Sequence, residues 1–295
     1  MKRFSTLLGI LALALSGVAA AQYGDPGSLK AELPGGDDLV FGRELKELGV
    51  FSSLANSVFT PARDGVKRPA IVLFHSCSGI KPHVRRFAEQ ALQSGYVVLI
   101  VDAMRGMKAD CGSPPTIPNA RLVKDALDAV AHLAGFPEVD PKRISVVGFS
   151  KGAIVAIWTA SSKVADAVRP GTPPIAAAVA MYGLCAAPVS RARPQGVQAL
   201  QSDTDRPLLL LLAGKDTETP PASCLERFPG LKSAGAPVEW HLYPDATHAW
   251  DERELNGFTK IAWNGERVVY LYDEAVTNDS RKRALDFVGS RKVEP

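Results

Sequence analysis

The chain has 295 residues, 46% of them hydrophobic and 22% charged, a composition that excludes disorder, collagen and coiled coil and allows one large or two small cores. Its 34 Lys and Arg face 31 Asp and Glu, a formal net charge of +3 that is too balanced to imply a nucleic-acid or polyanion partner.

The N-terminus carries a processing pattern. Met1-Lys2-Arg3 is basic, residues 7–15 are apolar apart from Gly9, and Ala19-Ala20-Ala21 before Gln22 offers a small-residue cleavage site. The apolar stretch is shorter than the ~20 residues of a membrane-spanning helix. Residues 1–21 are therefore expected to be a cleaved signal peptide, leaving a periplasmic or secreted protein with no membrane span. A polar lead segment, 22–52, precedes a single domain expected over 53–295, since no repeat, linker or low-complexity tract divides it.

Short apolar runs then alternate with helix-length segments. Strands are expected at 57–59, 70–74, 97–101, 144–147, 176–181, 208–212 and 238–242, and helices at 84–93, 119–133, 151–161, 222–232 and 280–291. Most of the strands are unbroken Val/Ile/Leu/Ala runs, the pattern of strands buried on both faces. The alternation predicts an α/β fold, a mostly parallel central sheet with helices on both faces. Residues 250–272 break this rhythm with five aromatics and the turn signal Asn264-Gly265. They predict a hairpin with arms 259–263 and 266–270, which reads either as a flap beside the substrate pocket with Trp250 as its aromatic contact or as an edge hairpin that only covers the core.

Gly148-Phe149-Ser150-Lys151-Gly152 follows one strand and opens a helix, the context of a nucleophile elbow. A serine there is held in a strained turn with its hydroxyl presented, and the flanking glycines let strand and helix pass closely. A serine hydroxyl needs a base, and the base needs an orienting group. In chain order the candidates are Asp216, just past the strand 208–212, and His248, just past the strand 238–242, with Glu218 the alternative acid. All three lie after carboxyl ends of strands, where the catalytic groups of open α/β sheets gather. The remaining histidines, His75, His83, His132 and His241, fall at a strand end, a helix start, mid-helix and mid-strand. The oxyanion hole is expected from the backbone amides of Cys77, or its neighbour Ser78, and of Lys151.

Cys77, Cys111, Cys185 and Cys224 form an even set with no C-x-x-C pair and no histidine cluster at zinc spacing, so disulfides are expected and a metal is not. No organic cofactor is implied.

The strand ending in His75-Ser-Cys-Ser-Gly, the elbow Gly148-Phe-Ser-Lys-Gly-Ala, Gly214-Lys-Asp, and Tyr243-Pro-Asp-Ala-Thr-His-Ala-Trp together resemble the dienelactone hydrolase family of α/β-hydrolases. The closing stretch from Tyr272 to Arg281 fits as well, so the likeness runs from about Ser53 to Val288. The resemblance implies a hydrolase of small esters or lactones. Namesake members carry Cys at the elbow where this chain has Ser150, which implies a mechanism closer to a serine esterase. Arg105 and Arg253 are the candidates for the family's substrate-carboxylate arginines. In the strand order of this fold, Cys111 lies in the loop beside Cys77, and the strands before Cys185 and Cys224 are neighbours. The expected pairs are therefore Cys77–Cys111 and Cys185–Cys224. Competing readings are a non-catalytic periplasmic binding or scaffold protein on the same fold and, within the fold, a peptidase or polyester depolymerase.

Overall fold

The computed structural model describes residues 50–51, 58–104, 119–187, 197–262 and 264–294. The expected signal peptide, most of the lead segment, Arg105, Cys111 and Trp263 lie outside the described residues.

In chain order the strands are β1 (Val50–Phe51), β2 (Val58–Thr60), β3 (Arg68–Phe74), β4 (Val97–Val101), β5 (Val139–Phe149), β6 (Ala177–Met181), β7 (Ala186–Ala187), β8 (Val197–Gln198), β9 (Leu208–Ala213), β10 (Val238–Tyr243), β11 (Thr259–Ile261) and β12 (Arg267–Val269). The helices are α1 (Pro82–Gln93), α2 (Asn119–Ala134), α3 (Lys151–Thr159), α4 (Ser162–Val168), α5 (Ala222–Leu225), α6 (Phe228–Ser233) and α7 (Glu274–Gly289).

One eight-stranded sheet organises them, in the order β1-β2-β4-β3-β5-β6-β9-β10. The strands from β4 to β10 in that order pair parallel, while β1 and β2 add an antiparallel edge. The fold is thus the expected α/β-hydrolase architecture, although the sheet starts at Val50, ahead of the domain start expected at residue 53.

The period-2 geometry of strands explains the unbroken apolar runs. Val72 and Phe74 of β3, Leu99 of β4 and Leu210 of β9 join one core with α2 and α3. The residues between them, Ile71, Leu73, Ile100 and Leu211, join a second core with α1 and α7 on the opposite face. β3, β4 and β9 therefore each feed two cores, and the sheet lies between them.

Of the element boundaries that depart from expectation, three have a clear local reason. β5 begins at Val139 because Val139 pairs with Arg68 across a register shift. The segment expected as one helix, 222–232, divides into α5 and α6, since Pro229 has no N–H to donate and its ring crowds the preceding turn. α7 starts at Glu274, before the expected 280, because the Asp273 side chain accepts the Val276 N–H at 2.9 Å and caps it.

The predicted hairpin forms as β11 and β12, paired antiparallel. Its turn closes through Gly265 N–H to the Ala262 carbonyl at 3.0 Å, with Gly265 at φ +84°. The turn is thus wider than a two-residue Asn-Gly loop, and Gly265 supplies the left-handed residue at its end.

Candidate active site

The site is assembled at the carboxyl edge of the sheet from loops after β3, β5, β9 and β10. The elbow is strained: Ser150 stands at φ 52°, ψ −108°, its N–H bonded to the Met181 carbonyl at 3.0 Å while α3 begins immediately after it. The glycines allow this. A β-carbon on Gly148 would lie 2.0 Å from the Gly152 carbonyl oxygen, a contact that no side chain tolerates. Among the described residues the non-glycine residues at positive φ are Ser150, Tyr182 and Ala249, and each belongs to this site or packs directly against it. Strain gathered in this way is a mark of function.

His248 bridges Ser150 and Asp216. Its Nε2 lies 3.0 Å from Ser150 Oγ and its Nδ1 lies 2.7 Å from Asp216 Oδ2. A carboxylate only accepts hydrogen bonds, so Nδ1 carries the proton and Nε2 is left to accept from the serine hydroxyl. All three side chains are almost fully buried. Burial alone would depress the imidazole; the Asp216 carboxylate, by charge and hydrogen bond, together with Glu218, holds it above the ordinary histidine value. Asp216 is itself fixed: its Oδ1 accepts the N–H groups of Glu218 and Thr219, each at 2.8 Å.

Several neighbours carry no sequence signal of their own. The Thr219 hydroxyl lies 2.7 Å from Asp216 Oδ2, 3.1 Å from His248 Nδ1 and 3.0 Å from the Tyr182 carbonyl. The Tyr182 ring meets His248 edge-on at 5.1 Å, and its hydroxyl donates to Asp251 Oδ1 at 2.8 Å. Glu218, the alternative acid, does not take the Nδ1 position; its Oε2 lies 3.8 Å from His248 Nε2, on the other side of the ring.

The loop after β3 is braced by His75. Its Nδ1–H donates to the Ser76 carbonyl at 2.6 Å and its Nε2 accepts the Ala103 N–H at 3.1 Å, a scaffolding role rather than a catalytic one. Burial pushes that ring below its ordinary value, which keeps it neutral. The loop is closed by Gly79 N–H to Ser76 carbonyl at 3.1 Å, and Cys77 lies between them. Lys151 is the first residue of α3, directly after Ser150. Cys77 is disulfide-bonded, whereas Cys111, its expected partner, lies outside the described residues. Cys185 and Cys224 form the expected bridge, with Cα atoms 5.0 Å apart.

One expected substrate contact, Trp250, is corrected. Trp250 has 0% exposure; it packs edge-on to Tyr182 at 4.8 Å and its indole N–H donates to Ser280 Oγ at 3.1 Å. It is a core residue, tied to α7 through Ser280 and through the Thr277 hydroxyl, which donates to its carbonyl at 3.1 Å. Arg253 is exposed at the surface, its guanidinium 5.0 Å from the Tyr272 ring centroid and 3.7 Å from Glu274. Arg105 lies outside the described residues. The hairpin does come to the site, but it docks on the acid loop: Asn264 Nδ2 donates to the Thr217 carbonyl at 2.8 Å and Thr217 Oγ1 to the Arg267 carbonyl at 2.9 Å. Among the described residues no group of acids, histidines and cysteines is arranged to hold a metal ion, and no helix is long and apolar enough to cross a membrane.

The family model of the dienelactone hydrolase family matches residues 54–291. A Salmonella typhi protein named "Putative carboxymethylenebutenolidase" is 27% identical over 236 residues, covering 77% of this chain and 78% of its own. The fold is shared with an α/β-hydrolase enzyme from a Medee basin deep-sea metagenome library, at 22% identity and TM-score 0.55, covering 78% of this chain and 91% of that one. It is shared too with a thermophilic esterase of Thermogutta terrifontis solved with butyrate bound, at 19% identity and TM-score 0.54, covering 79% and 87%. With most of its length matched by the family model, this chain is a hydrolase and belongs to the dienelactone hydrolase family.

Proposed function

We propose that the protein is an exported serine hydrolase that cleaves carboxylic esters or lactones through an acyl-enzyme. The observation that carries this reading is the unbroken chain from Ser150 Oγ through His248 to Asp216, at 3.0 and 2.7 Å, with the serine strained at the head of α3. As Oγ bonds to the carbonyl carbon, its proton passes to Nε2, and the imidazolium formed is stabilised by Asp216. The amides of Cys77 and Lys151 take up the charge on the carbonyl oxygen. When the carbon–oxygen bond to the leaving group breaks, Nε2 returns the proton to the departing alkoxide. Water then gives a proton to Nε2, attacks the acyl carbon and releases the acid, and Ser150 recovers its hydrogen.

The names of the relatives support a carbonyl ester as substrate: a carboxymethylenebutenolidase cleaves a lactone, and the Thermogutta neighbour is an esterase. Ser150 in place of the namesake cysteine favours simple esters. Export is supported by the N-terminal pattern and by the Cys185–Cys224 bridge, since disulfides persist in oxidising compartments. The deciding experiment is labelling with a fluorophosphonate probe. Stoichiometric labelling that vanishes in Ser150→Ala is the expected result, and an unlabelled but folded wild type would identify a non-catalytic binding or scaffold protein.

A further inference from the structure

The imidazole of His248 lies between two carboxylates. Asp216 holds Nδ1, and Glu218, two residues along the same loop, places Oε2 3.8 Å from Nε2, the nitrogen that faces Ser150. The Glu218 side chain is almost fully buried, and its two oxygens are held by the hairpin: Oε1 accepts from Lys260 Nζ at 2.8 Å, and Oε2 accepts from the Tyr270 hydroxyl. The Tyr270 ring in turn meets His248 edge-on at 5.9 Å, with Lys260 Nζ 5.5 Å from its centroid. A buried carboxylate without a structural need for charge is costly. Here it is retained beside the nitrogen through which every proton of the proposed reaction passes.

We propose that Glu218 is a positioning residue that acts through His248, and that Lys260 of the β11–β12 hairpin sets how much of its negative charge reaches the Nε2 edge. This rests on the serine-hydrolase reading above. Glu218 favours the imidazolium and so strengthens His248 as the base that takes the Ser150 proton; Lys260 offsets part of that charge, so that the imidazolium still gives its proton to the leaving group. Burial works against ionisation of Glu218, yet the positive charge of His248 when protonated, and the hydrogen bonds from Lys260 and Tyr270, bring its carboxyl below the ordinary value. It is therefore charged at neutral pH. The other groups facing the ring are Asp216 and the Thr219 hydroxyl on the acid loop, Ser150 at the elbow, Tyr182 after β6 and Tyr270 on the hairpin, so Glu218 and Lys260 are the pair whose charges act at the Nε2 edge.

The two charges predict opposite outcomes. In the pH profile of kcat/KM for p-nitrophenyl acetate, followed at the isosbestic wavelength, the acid limb reports His248 of the free enzyme. Glu218→Gln should move its midpoint down by about one pH unit, and Lys260→Met should move it up by about half a unit, the scale on which one nearby charge acts. A clamp that merely stiffens the loop would lower turnover in both variants with unmoved midpoints, or move both the same way, and either result overturns the proposal. The midpoint of the His248 ring in a labelled-histidine NMR titration, taken on a Ser150→Ala background, should show the same opposed shifts without any turnover. If Glu218→Gln does not fold, Lys260→Met decides alone, because its side chain is part-exposed on the hairpin. Wild-type turnover in Ser150→Ala would overturn both this proposal and the triad. Loss of turnover there with unmoved Glu218→Gln and Lys260→Met midpoints would overturn this proposal only.

Discussion

Gly152 lies directly beneath the main chain of Phe74: a β-carbon on it would sit 2.2 Å from the Phe74 carbonyl oxygen and 2.7 Å from that of His75. The nucleophile elbow and the loop after β3 are therefore locked together by backbone contact, and no side-chain adjustment relieves an added methyl. Gly152→Ala is expected to abolish fluorophosphonate labelling of Ser150 and to lower the melting temperature. Gly230→Ala is the matched control, since a β-carbon there meets nothing within 4 Å. On a helix it should be neutral or stabilising, by at most about 1 kcal/mol.

Removing Ser150 or His248 as alanine should each reduce kcat by on the order of 10⁶-fold with the fold intact, because neither half of the nucleophile–base pair works alone. Asp216→Asn should cost less, on the order of 10⁴-fold, since Ser150 and His248 remain. The Thr219 hydroxyl also stays beside Nδ1 to orient the ring. Steady-state kinetics with far-ultraviolet circular dichroism of each variant checks the order.

Trp250→Ala is expected to destabilise the protein by about 3–5 kcal/mol, the cost of emptying a fully buried aromatic site. Its contacts with Tyr182, Tyr243 and Ser280 are lost together. Relative kcat/KM among esters of different chain length should stay unchanged below the melting temperature. Chemical denaturation, paired with an ester series, separates this outcome from a substrate contact.

The Cys185–Cys224 bridge closes a loop of 39 residues and ties the segment after β6 to α5. Chain-entropy reasoning assigns such a loop about 4 kcal/mol. The double variant Cys185→Ser/Cys224→Ser should melt well below the wild type under oxidising conditions, and reductant should erase most of the difference. Calorimetry with and without dithiothreitol measures both.

Stability should also depend on pH through a buried pair at the start of α1. Burial, then the nearby Asp251 and Glu254, raises Glu252 to about 7, while burial lowers His83 to about 4. From its ordinary 4.5 up to about 7, Glu252 keeps a proton in the native state that the unfolded chain loses, so its contribution to stability falls as pH rises through that window. His83 acts the other way: between about 4 and its ordinary 6.5 the unfolded chain binds a proton that the native ring refuses, so its contribution rises with pH. Glu252→Gln removes only the first effect. Its melting temperature should exceed that of the wild type at pH 8 and converge with it at pH 4.5, as read by thermal scans across pH.

The order of elements and the chain order Ser150, Asp216, His248 could be read from the sequence because both depend on short-range regularities. Two-faced burial writes itself as unbroken Val/Ile/Leu runs such as 208–212, and a glycine two residues either side of a serine marks a turn whose backbone contacts forbid a β-carbon. Local chemistry also misplaced some boundaries where it was overlooked, as with the restart of helix at Pro229 and the Asp273 cap. The choice between Asp216 and Glu218 belonged to the tertiary structure. Both are acids in one loop, and only the turn made when Asp216 Oδ1 accepts two N–H groups, with the hairpin gripping Glu218, puts one on Nδ1 and the other beside Nε2. The same holds for Trp250. An aromatic two residues after His248 reads equally as a pocket wall or as core, and what buries it is Tyr182, Tyr243 and Ser280, brought from distant parts of the chain. Side-chain exposure is decided by whichever segments fold over a residue, and pattern along one segment carries no record of them.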